Sequence, residues 1–119
     1  MSLTIYSYPP CGTCRKAKKW LENHGLEYKE IHIVENTPTS AEIKEIYQNS
    51  GMELKKFFNT SGVKYRELGL KDKVKNATEE ELLDILASDG MLIKRPIVTD
   101  GEKVTVGFKE VEFEQTWGK

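Results

Sequence analysis

Apolar and polar positions change their period several times along this chain, and each change marks an element. Leu3 to Ser7 is short and rich in apolar and β-prone residues, and Pro9-Pro10 stops it, which predicts a strand. From Thr13 the period becomes helical. Ala17, Trp20 and Leu21 fall on one face, while Lys16, Lys18, Lys19 and Glu22 cover the other. His24-Gly25 is a good helix end, with a cation in the last turn and glycine after it. Tyr28 to Val34 alternates in part, with Tyr28, Ile31 and Ile33 set among Lys29, Glu30 and His32, and predicts a second strand. Strand, helix, strand implies a right-handed parallel unit.

Residues 35–90 change character and read as short helical pieces. Thr39-Ser40 precedes a piece in which Ile43, Ile46 and Tyr47 share a face, ended by Ser50-Gly51. Leu54 to Phe58 is a helical turn closed by Asn59-Thr60-Ser61-Gly62, and Val63 to Leu68 forms another. Thr78 with Glu81 three residues later is a capping box opening a helix through Leu82, Leu83, Ile85 and Leu86 to Asp89-Gly90. Lys71-Asp72-Lys73 and Lys75 read as a solvated charge run. The last third turns β again. Leu92-Ile93 leads through Arg95-Pro96 to Ile97-Val98, Asp100-Gly101 marks a tight hairpin, and Val104 to Val106 follows. Gly107 breaks that strand, and Phe108 to Trp117 is expected to be a terminal helix with Val111, Phe113 and Trp117 buried.

The order is therefore βαβ, a helical insertion over about 35–90, then ββα. A strand, a helix opened by C-x-x-C and a later strand entered through proline predict an α/β thioredoxin-like fold with a mixed, mostly four-stranded sheet. A length of 119 residues suits one domain, 1–119. Charged residues make up 31% against 38% hydrophobic, so the core must be compact and the surface strongly solvated. Eighteen Lys and Arg balance nineteen Asp and Glu, and this absence of a basic excess argues against direct nucleic-acid binding. Apolar runs are only a few residues long, which excludes a membrane span, and Met1 to Tyr6 lacks the build of a secretory signal. A cytoplasmic monomer is expected.

The two cysteines, Cys11 and Cys14, lie one helical turn apart, and that spacing concentrates the chemistry. Cys11 falls after a strand and at a helix start, where unpaired N–H groups and the helix dipole favour an anion. Its thiol should be acidic, with Arg15 and Lys16 adding positive charge. Cys14 sits one turn inside, placed to attack a mixed disulfide on Cys11. Gly12 leaves the approach open. These residues predict Cys11 as nucleophile and Cys14 as resolving thiol. A zinc site is the competing reading, but His24 and His32, expected to be exposed and without partners, have the wrong spacing, so no metal is expected. A pair of inert buried thiols is the other, and the cationic strand–helix context argues against it. Arg95-Pro96 is the second signal. A cis proline facing the dithiol would leave backbone acceptors free for an extended substrate, and Arg95 would aim a guanidinium at the Cys11 thiolate or a bound anion. The competing reading is a surface arginine before an ordinary edge-strand proline. Gly12, Thr13, Arg15, Arg95 and Pro96 are thus the candidate thiolate- and substrate-binding residues. Asn59-Thr60-Ser61-Gly62 would line a cleft or simply end a turn, and Trp20, Phe57, Phe58 and Trp117 are expected in the core.

Several segments together carry a resemblance: Tyr-Ser-Tyr-Pro-Pro-Cys-Gly-Thr-Cys-Arg-Lys-Ala at 6–17, Lys-Phe-Phe-Asn-Thr-Ser-Gly at 56–62, Tyr-Arg-Glu-Leu-Gly-Leu at 65–70, Leu-Ile-Lys-Arg-Pro-Ile-Val at 92–98 and Val-Gly-Phe at 106–108. On these the chain resembles, over nearly its whole length, the ArsC/Spx/MgsR family of arsenate reductases and redox regulators. That family is an offshoot of the glutaredoxins, and the Cys-Gly-Thr-Cys form resembles its YusI-like branch. For the arsenate reductases the resemblance implies one nucleophilic cysteine and three oxyanion-binding arginines. Cys11 and Arg95 match, but the other two arginine positions fall near Asn59 and at Gly107. For the Spx-type regulators it implies a C-x-x-C switch and binding to the RNA polymerase α-subunit, at the carboxy-terminal domain of that subunit. Cys11, Cys14, Arg95 and Gly51 resemble theirs, whereas their long basic tail has no counterpart here.

Two functions follow from the resemblance. One is a thiol–disulfide oxidoreductase, acting on a thiol or disulfide substrate with no bound cofactor. Its reductant would be glutathione, bacillithiol, another low-molecular-weight thiol or a reductase protein. The other is a redox-sensing transcriptional regulator.

Overall fold

A computed structural model describes residues 2–118 and divides them between two compact units. The first is formed by residues up to His32 and from Arg95 onward; the second is the continuous stretch Ile33–Lys94.

The first unit contains β1 (Leu3–Ser7), α1 (Gly12–Asn23), β2 (Tyr28–His32), β3 (Ile97–Thr99), β4 (Val104–Val106) and α6 (Glu110–Trp117), the numbering leaving α2–α5 to the second unit. Its four-stranded sheet runs in the order β2-β1-β3-β4. β1 pairs with β2 in parallel, Leu3 opposite Tyr28 and Ser7 opposite His32, while β3 joins β1 and β4 antiparallel. This is the mixed sheet of the expected α/β thioredoxin-like plan. The core is Leu3, Ile5, Ala17, Trp20, Leu21, Val98, Phe113 and Trp117, with Leu26, Tyr28 and Phe108 against it. The helical face of α1 read from the sequence is the face it buries. Thr105 is buried and polar, and its Oγ1 accepts the Trp117 indole N–H at 3.1 Å, so α6 is tied to β4 without an unsatisfied group.

Three sequence expectations are corrected in this unit. The second strand ends at His32, not Val34. The terminal helix begins at Glu110 rather than Phe108. Its buried residues are Phe113 and Trp117, while Val111 stays 65% exposed: two residues before Phe113, it lies on the opposite side of the helix. The hairpin turn is held by Asp100, whose Oδ1 accepts the N–H groups of Glu102 and Lys103, with Gly101 at φ +98°.

The second unit contains α2 (Ser40–Ser50), α3 (Val63–Glu67), α4 (Leu70–Asn76) and α5 (Glu79–Ser88), with 3-10 turns at Leu54–Phe57 and Gly90–Leu92. Thr39 and Thr78 each open a helix with a full capping box, to Glu42 and Glu81. Ser40 Oγ reaches Asp84 Oδ1 at 2.9 Å and joins α2 to α5. The charge run 71–75 lies in α4, its lysines and Asp72 exposed. Leu92-Ile93 does not belong to the sheet. Ile93 makes one isolated bridge to Phe58, flanked by Asn59 N–H to Leu92 O and Lys94 N–H to Phe57 O. Asn59-Thr60-Ser61-Gly62 is therefore a fixed turn between Phe58 and α3, with Gly62 N–H donating to Asn59 O. At Gly90 a side chain would collide with the Ile33 carbonyl, which explains the glycine by close backbone approach rather than by helix ending alone. Among the described residues no helix is long and apolar enough to cross a membrane.

Candidate active site

Pro9-Pro10 ends β1, and the chain turns back as the Cys11 N–H donates to the Tyr8 carbonyl at 2.8 Å. Cys11 is then the N-cap of α1, with extended backbone (φ −77°, ψ 120°), and its carbonyl accepts from Arg15 N–H. An N-cap residue lies beside helix N–H groups that have no partner within the helix. The Cys11 thiol makes no capping hydrogen bond. Its sulfur nevertheless lies where negative charge is favoured by the N–H of Cys14, the Cys14 thiol, the N–H of Thr13 and the charge of Arg95. Partial burial opposes ionisation, and these groups outweigh it, so the Cys11 thiol is more acidic than an ordinary cysteine.

Cys14 is the opposite case. It is fully buried, and its sulfur accepts the Tyr8 N–H at 3.5 Å. Burial pushes its thiol up to about 12, and hydrogen bonding to Cys11 and the charge of Cys11 push the same way against the Tyr8 amide and Arg95. The two unbridged thiols therefore sit side by side with their acidities driven apart.

The Arg95–Pro96 peptide is cis, as expected from the sequence, and Pro96 is buried at the entry to β3. The cation that acts on both sulfurs is Arg95; Arg15 and Lys16 stand exposed on α1, and Gly12 and Thr13 are exposed at its first turn. Gly107 is buried, with φ +83°, and its N–H donates to the Pro96 carbonyl at 2.8 Å.

Sequence reasoning missed Tyr8. Its carbonyl and amide serve Cys11 and Cys14, and its ring carries the Arg95 guanidinium 5.0 Å from the centroid. Its one local signal was a tyrosine directly before the prolines that precede the dithiol. The histidines are corrected too. His24 is exposed, but it stacks on Trp20 at 3.8 Å and donates from Nδ1 to the Trp20 carbonyl. His32 is half-buried and meets the Tyr8 ring edge to face at 5.8 Å. Ser7, buried beside this corner, donates to Glu30 Oε2, which also takes Lys18 Nζ at 2.8 Å.

Comparison with known proteins identifies the family. The uncharacterized protein YusI of Bacillus subtilis is 68% identical over 117 residues, covering 98% of this chain and 99% of YusI. The regulatory protein MgsR of the same organism is 34% identical, covering 92% of this chain and 86% of MgsR. The crystal structure of an ArsC family related protein from Bacteroides fragilis superposes with a TM-score of 0.93 at 48% identity, covering 97% of each chain. The ArsC family model matches residues 6–116, a span that holds both cysteines, Arg95 and Pro96, and the chain belongs to the ArsC family.

Proposed function

We propose that this chain is a thiol–disulfide redox protein in which Cys11 is the nucleophile and Cys14 the resolving thiol. One observation carries this reading: an acidified, half-exposed thiol at a helix N-terminus touches a buried thiol held protonated. In the first step the Cys11 thiolate attacks one sulfur of a substrate disulfide. A Cys11 mixed disulfide forms, the substrate S–S bond breaks, and its other sulfur leaves as a thiolate. In the second step Cys14 loses its proton and attacks the Cys11 sulfur. The second substrate thiolate departs and a Cys11–Cys14 disulfide remains, so the substrate has gained two electrons. Two equivalents of a low-molecular-weight thiol such as glutathione or bacillithiol, or a reductase protein, return the couple to dithiol.

The order of the steps has a physical basis in Cys14. Burial is the main cause of its high value, but the next contributions that raise it come from Cys11 itself. Capping Cys11 removes that charge and that hydrogen bond, and Cys14 becomes more acidic when it must attack.

The test is alkylation of the reduced protein at limiting iodoacetamide across a pH series. The adduct is expected on Cys11, with a rate profile centred below that of an ordinary thiol; in a separate, unalkylated sample mild oxidant should remove two hydrogens from the intact mass. Preferential labelling of Cys14 would overturn the assignment.

Arsenate is a poor substrate on this reading. The family resemblance places reductase arginines at Arg95, near Asn59 and at Gly107, and only Arg95 is basic. Each charge-assisted contact is worth about 1.5–3 kcal/mol, so the loss of two should weaken oxyanion capture by roughly a hundredfold or more. Arsenate-dependent oxidation of glutathione or thioredoxin is expected to stay near background. Robust turnover that disappears in Arg95→Ala would reverse this conclusion.

The similarity to MgsR favours a second reading, in which the same couple switches a regulator that binds the RNA polymerase α-subunit. Pull-down of that subunit from a bacterial lysate by the reduced or the oxidised form, without turnover, would select it.

A further inference from the structure

We propose that Tyr8 is a positioning residue for this site, whose ring holds the Arg95 guanidinium against the dithiol and so sets the reactivity of Cys11. The proposal rests on the reading of Cys11 as nucleophile and adds the residue that controls it.

Four contacts converge on Tyr8. Its peptide carbonyl accepts from Cys11 and its peptide amide donates to Cys14 Sγ, so the Tyr8 backbone is fixed to both cysteines. Its ring lies beneath the Arg95 guanidinium at 5.0 Å. The ring also meets His32, edge to face at 5.8 Å, from the end of β2. A guanidinium is attracted to an aromatic face by the ring quadrupole, and its planar shape allows it to lie flat there. An arginine carries several rotatable bonds, and ordering them requires contacts along its length. The aromatic face supplies one such contact at the charged end, on a residue whose backbone is already anchored to the dithiol. Among the described residues, the charged and titratable groups set against Cys11 and this ring are Cys14 from α1, Arg95 before β3 and His32 from β2. A backbone role alone would tolerate any side chain at position 8; the ring contact with Arg95 requires an aromatic one.

The experiment is the pH profile of Cys11 alkylation in Tyr8→Leu, Tyr8→Met, Tyr8→Phe, Arg95→Ala and the double variant Tyr8→Leu/Arg95→Ala. Adducts are mapped, and folding is checked by circular dichroism. Tyr8→Leu and Tyr8→Met should each raise the midpoint by about half a unit, a fall of about threefold in rate at neutral pH. Tyr8→Phe, which keeps the face, should restore the original midpoint. Arg95→Ala should raise it as well, and Tyr8→Leu should add nothing in that background. Two aromatic-free variants keep the test open if one of them does not fold. An unmoved midpoint in folded Tyr8→Leu or Tyr8→Met overturns the proposal. So does an undiminished Tyr8→Leu shift in the Arg95→Ala background, although both results leave Cys11 as the nucleophile. Mapping of the wild-type adduct to Cys14 removes the nucleophile reading itself and this proposal with it.

Discussion

Cys11→Ser is expected to lose disulfide turnover entirely, down to the rate of the donor thiol alone. A serine hydroxyl is not ionised near neutral pH, so the N–H groups and Arg95 that favour an anion at position 11 have no nucleophile to act on. Cys14→Ser should behave differently. Its Cys11 thiolate still attacks, but the chain has only two cysteines, so no second thiol of the protein displaces the substrate and only the external donor can. A mixed disulfide on Cys11 should therefore accumulate and appear as an adduct in intact mass. The assay is turnover of a small disulfide with excess thiol donor, followed by mass spectrometry of the quenched protein. Full turnover in Cys14→Ser, with the adduct cleared by external thiol, would overturn the resolving role.

The largest loss of stability is expected at Phe113. It is fully buried, packs edge to face on Trp20 at 5.3 Å and on Phe108 at 4.8 Å, and fixes α6 to the core of the first unit. Replacing a buried phenylalanine by alanine removes its transfer free energy and leaves a cavity, about 3–5 kcal/mol together. Guanidinium unfolding followed by tryptophan fluorescence reads this directly, since Trp20 and Trp117 both belong to that core. Val111→Ala on the exposed side of the same helix should change stability by less than about 0.5 kcal/mol. Equal losses at the two positions would contradict the packing described above.

The features legible in the sequence were those that short stretches decide. β1, α1 with its buried face, the capping boxes at Thr39 and Thr78, and the cysteine pair each follow from a few neighbouring residues. The errors lie where a distant partner decides. Ile93 opens the stretch that the sequence predicts to be β, but its bridge is to Phe58 rather than to the sheet. Val111 looked buried because it is apolar, yet only the packing of α6 determines which side faces inward. Tyr8 is not legible as a site residue because its partner Arg95 comes from the other end of the chain, and cation–π contacts have no sequence period. Arg95 itself is legible because proline marks the strand entry beside it.

Gly107 limits which residues position 107 can take. Its backbone occupies the left-handed region at φ +83°, and its N–H is committed to the Pro96 carbonyl. Where the arsenate reductases are expected to carry a cation, an arginine introduced here would face a backbone conformation costing on the order of 1–3 kcal/mol for a residue with a Cβ. It would also begin from a buried position. A single codon change could install the charge but not the conformation that charge requires. An arginine at 107 would therefore need at least one compensating change in the β4–α6 connection before its charge could be used, so the backbone at this position, and not only its side chain, opposes a cation here.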